Sequence, residues 1–237
     1  MKILALDTAT KSCSAAISRD GKVVAHRFRL MERGQAEGLA PMVAEVLLEA
    51  GEDIPGLDLI AVTIGPGAFT GLRIGLAAAT GYALAAGLPI LGATTLEVVA
   101  AGIGKEEPDG RSILVALDSK RADLYVQVFS PGLEATGEPL AVAAGGLAAM
   151  LGNGPLLVVG DAAGAAVRAL RDAGLDAEPS AAAGLPDAAN LCTIAGRRAA
   201  ETSPKVGAPP PRPLYLRLPD AKPAANLAGL RPPAKEA

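Results

Sequence analysis

Two segments of the chain place an acidic side chain and hydroxyl groups directly after an apolar run. In the first, Ile-Leu-Ala-Leu is followed by Asp7 and Thr8, with Thr10 two positions further on. In the second, Leu-Val-Ala-Leu is followed by Asp118 and Ser119. A carboxylate can approach a metal ion, and turn hydroxyls can approach phosphate, so these five residues are candidates for nucleotide binding. Each segment needs a strand that ends at the acid and a turn that reverses the chain.

The same residues also fit a purely structural interpretation. Phosphate loops normally carry a glycine that lets backbone amides close on the phosphates, whereas the residue after Asp7 is Thr8. An aspartate at the end of a strand also commonly begins a turn. The sequence therefore leaves open whether Asp7 and Asp118 belong to a nucleotide site, to a vestige of one, or to two ordinary turns.

The most distinctive stretch is Gly-Pro-Gly-Ala-Phe-Thr-Gly-Leu-Arg-Ile-Gly at residues 65–75, named here the glycine motif. It lies between a predicted strand and a predicted helix. It is not a Walker loop, because Gly71 is followed by Leu and Arg rather than by Lys and then Ser or Thr. It also departs from the dinucleotide fingerprint, because Thr70 stands where the third glycine is needed. Close packing remains as the explanation for its glycines.

The helix that follows the glycine motif, predicted from Thr70 to Ala86, carries a strip of small or narrow residues. The members of this strip are Gly71, Gly75, Ala78, Ala79 and Tyr82. The strip could pack on the chain's own sheet or on the helix of a partner. A helix with so few polar positions is buried on all sides, which favours a partner.

A second helix is predicted over residues 39–50, where apolar side chains repeat at helical spacing and Gly51 ends the pattern. Leu39, Met42 and Val46 belong to its apolar face. These two helices are the main candidates for contact with another protein.

The content of histidine and charge restricts the chemistry. His26 is the only histidine, so a metal site with two histidines is excluded. The net charge is −3, from 22 basic and 25 acidic residues, which argues against unaided binding to RNA. Cys13 and Cys192 are predicted to be free thiols in the core, as in cytoplasmic proteins.

Neither a signal peptide nor a membrane span is predicted. The first apolar run ends at Asp7, which is too early for a signal peptide. The uncharged run over residues 74–96 is interrupted by glycines and by Pro89, so a helix, a turn and a strand are predicted there.

The two acid-ending segments also indicate an internal duplication. Their offset is 118 − 7 = 111 residues, close to half of the chain. Strands alternate with helices, which predicts an α/β fold with two similar subdomains, each a mixed sheet flanked by helices. The predicted subdomains are residues 1–104 and 105–218, and a flexible Pro/Ala-rich tail follows at 219–237. In the second half, helices are predicted near 141–151, 165–173 and 190–200, and a strand at 156–159.

Five stretches together resemble the TsaB (YeaZ) family. They are Ile-Leu-Ala-Leu-Asp-Thr-Ala-Thr from Ile3, the glycine motif with the following Leu, Gly-Leu-Pro-Ile from Gly87, Leu-Asp-Ser-Lys-Arg-Ala-Asp-Leu-Tyr from Leu117, and Pro-Leu-Tyr-Leu-Arg from Pro213. They occur in the family's order and span nearly the whole chain apart from the tail. The glycine motif is highly specific.

The resemblance implies a duplicated actin-like ATPase (ASKHA) fold and a pseudoenzyme with no catalytic residues and no metal ligands of its own. The family's catalytic paralogue, TsaD, carries a His-x-x-x-His metal site where this chain reads Arg-Gly-Gln-Ala-Glu-Gly-Leu-Ala-Pro at residues 33–41. Many members have His-Ser where this chain has Gln35 and Ala36, and we expect this difference to be harmless in a scaffold.

The implied function is that of a cytoplasmic scaffold for TsaD. TsaD transfers a threonylcarbamoyl group to the adenosine beside the anticodon in tRNAs that read codons beginning with A. The implied partners are TsaD, the ATPase TsaE and, through the complex, tRNA, with a homodimer when TsaD is absent. ATP and metal would belong to the partner subunits and not to this chain.

The resemblance further implies that the two helices of the first subdomain contact TsaD in a four-helix arrangement. The predicted interface residues are Leu39, Met42, Val46, Gly71, Leu72, Gly75, Ala78, Ala79 and Tyr82. A bulky residue at Gly75 should then weaken TsaD binding and leave the chain folded. The alternative is a small-molecule kinase or ATPase that uses Asp7 and Asp118, whereas a metallopeptidase conflicts with the single histidine.

Overall fold

A computed structural model of the chain describes residues 1–104 and 106–217 and contains two five-stranded sheets. The first half forms β1 (Lys2–Asp7), β2 (Ser12–Arg19), β3 (Lys22–Leu30), α1 (Gln35–Ala50), β4 (Leu59–Thr63), α2 (Phe69–Ala86), β5 (Ile90–Ala93) and α3 (Thr95–Ala100). The second half forms β6 (Ser112–Asp118), β7 (Asp123–Phe129), β8 (Leu140–Ala143), β9 (Leu156–Val159), α4 (Ala163–Asp172), β10 (Ala177–Pro179) and α5 (Ala188–Thr202). Short 3-10 helices occupy Ile54–Gly56 and Ala144–Met150. The tail predicted at 219–237 lies outside the described residues.

The two sheets repeat one topology. The first has the strand order β3-β2-β1-β4-β5, and the second has the order β8-β7-β6-β9-β10. In each sheet the first three strands of the half pair antiparallel, and the last two run parallel to the central strand. The repeat confirms the predicted duplication, and the architecture is the duplicated actin-like ATPase fold.

Each face of the two sheets is buried under its own set of helices. In β1, Leu4 and Leu6 belong to the hydrophobic cluster under α1 and α2, whereas Ile3 and Ala5 belong to the cluster under α5. This division follows from the two-residue period of a strand. In the second sheet, α4 and the 3-10 helix at 144–150 cover one face, and α3 covers the other. Four hydrophobic clusters therefore correspond to four sheet faces.

The two halves of the chain exchange one helix each. α3, from the first half, packs on β6 and β7, while α5, from the second half, packs on the strands of the first sheet. Without α5, apolar residues such as Ile3, Ala5 and Leu59 would face water. The predicted boundary at residue 104 therefore separates the two sheets but not the two cores, because α5 completes the core of the first half.

Some element limits differ from those predicted. α1 begins four residues before the predicted start at position 39. α2 begins at Phe69, so Thr70 lies within its first turn and is not its cap. Residues 141–151, predicted as a helix, form most of β8 and a 3-10 helix. The adjacent Gly145 and Gly146 disfavour a regular helix there, because glycine has a low helix propensity.

The uncharged run over residues 74–96 has the predicted order of helix, turn and strand. It forms most of α2, a turn, β5 and the beginning of α3. Gly87 ends α2 in the left-handed conformation, with φ of 64°, and its N–H group donates to the carbonyl oxygen of Leu84. Within residues 1–104 and 106–217, no helix combines the length and the apolar character that crossing a bilayer requires.

The glycine motif lets α2 lie directly against the turn between β1 and β2. A Cβ atom on Gly71 would stand 2.1 Å from the carbonyl oxygen of Thr8, and one on Gly67 would stand 2.2 Å from that of Ala9. The Ala68 N–H group donates to the Ala9 carbonyl oxygen at 2.7 Å, and the Thr8 hydroxyl donates to the Gly71 carbonyl oxygen at 2.7 Å. Close approach of two backbones therefore explains these glycines.

We predict that Gly71→Ala destabilises the protein by about 2 kcal/mol or more, because the added methyl group overlaps backbone atoms that have no room to move. Gly81→Ala is the matched control on the same helix, since a Cβ atom there meets no atom within 4 Å. The control should be neutral or stabilise by up to about 1 kcal/mol, as expected for alanine in a helix. Urea unfolding measures both changes, and equal stability of the two variants would contradict the packing argument.

Candidate functional site

A cleft of about 570 Å³ opens between the two sheets, beside the ends of β1 and β6. Three of the five candidate nucleotide residues line it, namely Thr10, Asp118 and Ser119. Other parts of its wall come from the glycine motif and from residues 32–37, which lead into α1. The cleft is therefore the place where the two halves of the duplicated fold meet.

Two lysines of the cleft wall are paired with carboxylates of the same wall. Lys120 Nζ lies 2.9 Å from Asp118 Oδ2, and Lys11 Nζ lies 3.6 Å from Asp161 Oδ2. Burial acts to raise the pKa of Asp118, but hydrogen bonds from Lys120 outweigh it, and the pKa is lowered overall. The hydroxyl of Ser119 donates to a backbone carbonyl oxygen of β7 at 2.5 Å. These groups already have partners within the chain.

Asp7 is enclosed in the core and does not line the cleft. Its side chain is fully buried, and Oδ1 accepts hydrogen bonds from the Thr63 hydroxyl at 2.6 Å and from the Ala9 N–H group at 3.2 Å. Oδ2 has no partner among the described residues. Burial raises the pKa of Asp7 from its ordinary value of 3.8 to about 7, although the two hydrogen bonds act to lower it. Asp7 therefore keeps its proton to a much higher pH than an exposed aspartate does.

Thr8 is buried beside Asp7, with its hydroxyl bonded to α2. The five candidate residues are therefore divided: Thr10, Asp118 and Ser119 face the cleft, whereas Asp7 and Thr8 face the interior. The carboxylate of Asp7 is therefore enclosed, whereas Ala9, Thr10 and Lys11 of the turn that follows it line the cleft.

Most of the predicted interface residues lie in the chain's own core. Seven of the nine are buried, namely Leu39, Met42, Val46, Gly71, Leu72, Gly75 and Ala79, while Ala78 and Tyr82 are partly buried. The apolar side of α1 faces the sheet, and the strip on α2 faces the sheet and the β1–β2 turn. The seven buried residues are not accessible in this fold, so a partner that packs on these helices would contact other residues.

The outward sides of α1 and α2 also carry apolar residues. We name as the helix surface the exposed residues Ala44, Leu48, Ala77, Gly81 and Leu84. Leu48 is 84% exposed and Leu84 is 83% exposed. Sequence reasoning missed them because it followed the stronger apolar repeat of each helix, which faces the sheet. These residues could have been found from the sequence, because α2 has no polar side and its outer side must therefore also carry apolar residues.

The single histidine links β3 to α5. His26 Nε2 lies 2.7 Å from Oδ1 of Asp187, and the same oxygen accepts from the Ala189 N–H group at the start of α5. The hydrogen bond with Asp187 raises the pKa of His26. The His26–Asp187 pair connects β3 to the start of α5, the helix that completes the core of the first half.

The chain is similar to proteins of tRNA threonylcarbamoyladenosine biosynthesis. Residues 29–154, just over half of the chain, match the family model described as TsaD, tRNA N6-adenosine threonylcarbamoyltransferase. The tRNA threonylcarbamoyladenosine biosynthesis protein TsaB of Escherichia coli is 41% identical over 125 residues, which cover 53% of this chain and 53% of that protein, so the match spans about half of that relative.

Two further relatives match almost end to end. An uncharacterized protein of Mycobacterium tuberculosis is 36% identical over 230 residues, which cover 94% of this chain and 95% of that protein. The solved structure of YeaZ from Pseudomonas aeruginosa superposes with a TM-score of 0.74 at 26% identity, covering 91% of this chain and 99% of that chain. The likeness therefore extends over both halves of the fold.

We predict that Asp7→Asn removes a pH dependence of stability. The folded protein keeps the Asp7 proton up to a pH of about 7, whereas the unfolded chain releases it near 3.8. The contribution to stability is therefore complete below the unfolded pKa and is lost as the pH rises through the folded pKa. The stability of Asp7→Asn relative to the native chain should be about 3 kcal/mol higher at pH 8 than at pH 5.

Urea unfolding at the two pH values measures this difference. Asp172→Asn, at an exposed carboxylate at the end of α4, is the control and should shift little between them. A relative stability of Asp7→Asn that does not change with pH would show that Asp7 is not held in a protonated form.

Proposed function

Because the chain belongs to the TsaB (YeaZ) family, we propose that it serves tRNA threonylcarbamoyladenosine biosynthesis as a non-catalytic subunit that binds TsaD. TsaD would carry the metal and transfer the threonylcarbamoyl group to the adenosine beside the anticodon. ATP, the ATPase TsaE and tRNA would join through the complex and not through this chain alone.

The observation that carries the proposal is the exposure of Leu48 and Leu84 on neighbouring helices. Burying a leucine side chain contributes roughly 1.5–3 kcal/mol, so two almost fully exposed leucines represent a large unused contribution. Ala77 and Gly81, on the outer side of α2, have little or no side chain, which lets a partner helix approach closely. The helix surface is therefore suited to a helix pair on a partner of similar fold.

The match to the TsaD family model supports this choice of partner. Two proteins with the same duplicated fold can pair through equivalent helices, as two copies of one protein do in a symmetric dimer. The same surface on a second copy of the chain would then give a homodimer when TsaD is absent.

The cleft supports a role without catalysis. Asp7 is enclosed, and the cleft lysines at positions 11 and 120 are paired with carboxylates. The sequence has one histidine, and it is bonded to Asp187. These features favour a scaffold over the alternative of a small-molecule kinase or ATPase.

We predict that Leu48→Asp and Leu84→Asp each lower the affinity for TsaD by about tenfold or more, because a charge replaces the apolar centre of the contact. Leu140→Asp is the control, since Leu140 is 44% exposed on β8 of the other sheet, and it should bind as the native chain does. Calorimetry with TsaD from the same organism gives the dissociation constants. Gly75→Leu is unsuitable, since a Cβ atom there would stand 2.6 Å from the Thr8 hydroxyl and disturb the core.

A second prediction separates the scaffold from the kinase or ATPase. The isolated chain should neither hydrolyse Mg-ATP nor transfer threonylcarbamoyl to tRNA, while adding it to TsaD, TsaE and the activated donor should restore transfer. Phosphate release and modified-nucleoside analysis measure the two activities. Hydrolysis by the isolated chain that is abolished by Asp7→Asn would favour the ATPase instead.

A further inference from the structure

An exposed cluster of two aromatic rings and one arginine lies at the N-terminal end of α2. The rings of Phe69 and Tyr215 are stacked, with centroids 5.7 Å apart and planes 29° apart. The guanidinium carbon of Arg73 lies 3.4 Å from the centroid of the Phe69 ring and 5.9 Å from that of Tyr215. Phe69 is 52% exposed and Tyr215 is 43% exposed. The chain has only three Phe, three Tyr and no Trp, so a third of its aromatic residues stand at this one surface point.

Arg73 differs from many arginines of the chain in its charge environment. Seven arginines form ion pairs with carboxylates: Arg19, Arg27, Arg29, Arg111, Arg197, Arg198 and Arg217. Around Arg73, no carboxylate of the described residues lies within ion-pairing distance. Its guanidinium rests on the face of a ring, which fixes its plane and leaves the N–H donors at its edge free for another group.

The segment that follows α5 supports the cluster, because residues on both sides of Tyr215 are bonded to the rest of the chain. The Leu214 N–H group donates to the Ile64 carbonyl oxygen at 2.7 Å, and Arg217 Nη1 lies 2.7 Å from Asp123 Oδ2. Gly65 leaves room for this crossing, because a Cβ atom there would stand 2.8 Å from the Leu214 carbonyl oxygen. Tyr215 is thus fixed on both sides, and the cluster is ordered before any partner arrives.

The cluster is continuous with the helix surface. Phe69, Arg73, Ala77, Gly81 and Leu84 follow one another at helical spacing and are exposed on a single side of α2. A partner that covers Leu84 and Gly81 would have to extend about two to three turns further along this helix to reach Arg73 and Phe69.

We propose that Phe69, Arg73 and Tyr215 form an anchor that binds a carboxylate side chain of the TsaD partner. A carboxylate matches the free edge of a guanidinium through two parallel hydrogen bonds. Tyrosine and arginine are also the residue types that contribute most to protein interfaces. An RNA surface is less well supported, because phosphate binding needs several free cations, whereas the neighbouring Arg217 is paired with Asp123. This inference rests on the proposed function and adds a determinant of affinity to it.

Calorimetry with purified TsaD from the same organism tests the anchor. Arg73→Ala and Tyr215→Ala should each weaken binding by about tenfold, and the affinity of Arg73→Ala should depend less on salt than that of the native chain. Arg73→Lys keeps the charge but loses the planar fork, so it should remain clearly weaker than the native chain. Arg168→Ala, at an exposed arginine on α4, should bind normally.

To find the partner carboxylate, each acidic residue of TsaD is replaced with alanine. The affinity of each TsaD variant is then measured for the native chain and for Arg73→Ala. Replacing the TsaD residue that contacts Arg73 should lower the affinity for the native chain but have little further effect on the affinity for Arg73→Ala. The effects of substitutions at two residues in contact are not additive. Additive effects at every acidic position would overturn the proposal.

The outcomes separate the anchor from the proposed function. If Leu84→Asp weakens TsaD binding while Arg73→Ala and Tyr215→Ala bind like the native chain, the anchor is wrong and the scaffold role stands. If the native chain does not bind TsaD, the scaffold role itself fails. If Arg73→Ala leaves TsaD affinity unchanged but weakens binding of tRNA by the complex, the cluster contacts RNA and the anchor is again wrong.

Discussion

The contact between the first turn of α2 and the turn joining β1 to β2 is the constraint on which the site depends. At Gly71 and Gly67 the two backbones approach so closely that no side chain fits between them. A phosphate loop must leave its backbone amides open to the ligand. In this chain the carbonyl oxygen of Ala9 and the hydroxyl of Thr8 are instead bonded to α2. The β1–β2 turn is therefore fixed against α2 on one side, while Ala9, Thr10 and Lys11 of the same turn line the cleft.

The pKa shifts of Asp7 and Asp118 follow from the different surroundings of the two side chains. The equivalent acids of the two halves have opposite environments: burial raises the pKa of Asp7, whereas bonds from Lys120 lower that of Asp118. An enclosed acid with an unpartnered oxygen destabilises the folded state, and it contacts nothing in the cleft. Its position at the end of β1 agrees with the interpretation of a vestigial nucleotide site, although its present chemistry is that of a core residue.

Local patterns in the sequence were enough for most strands, the duplication and most helices, but not for β8, which falls in a predicted helix, or for β10. The two segments ending at Asp7 and Asp118 predicted equivalent central strands, and the interrupted run over 74–96 predicted a helix, a turn and a strand. Long-range packing could not be predicted. Nothing in the pattern of α5 specifies which sheet it covers, and α2 is apolar on both sides, so its sequence does not show that Gly75 faces the core and Gly81 the solvent. The burial of Asp7 likewise depends on tertiary packing around the end of β1.

The two sides of α2 have different structural roles. Glycines on the inner side allow the helix to pack directly against the β1–β2 turn. On the outer side, Leu84 and the stacked Phe69 project into solvent, where a monomer gains nothing from them. A side chain in place of the inner glycines would push the helix outward and shift the exposed residues with it. The contact with the β1–β2 turn and the position of the exposed apolar residues are therefore coupled, because a single helix carries both.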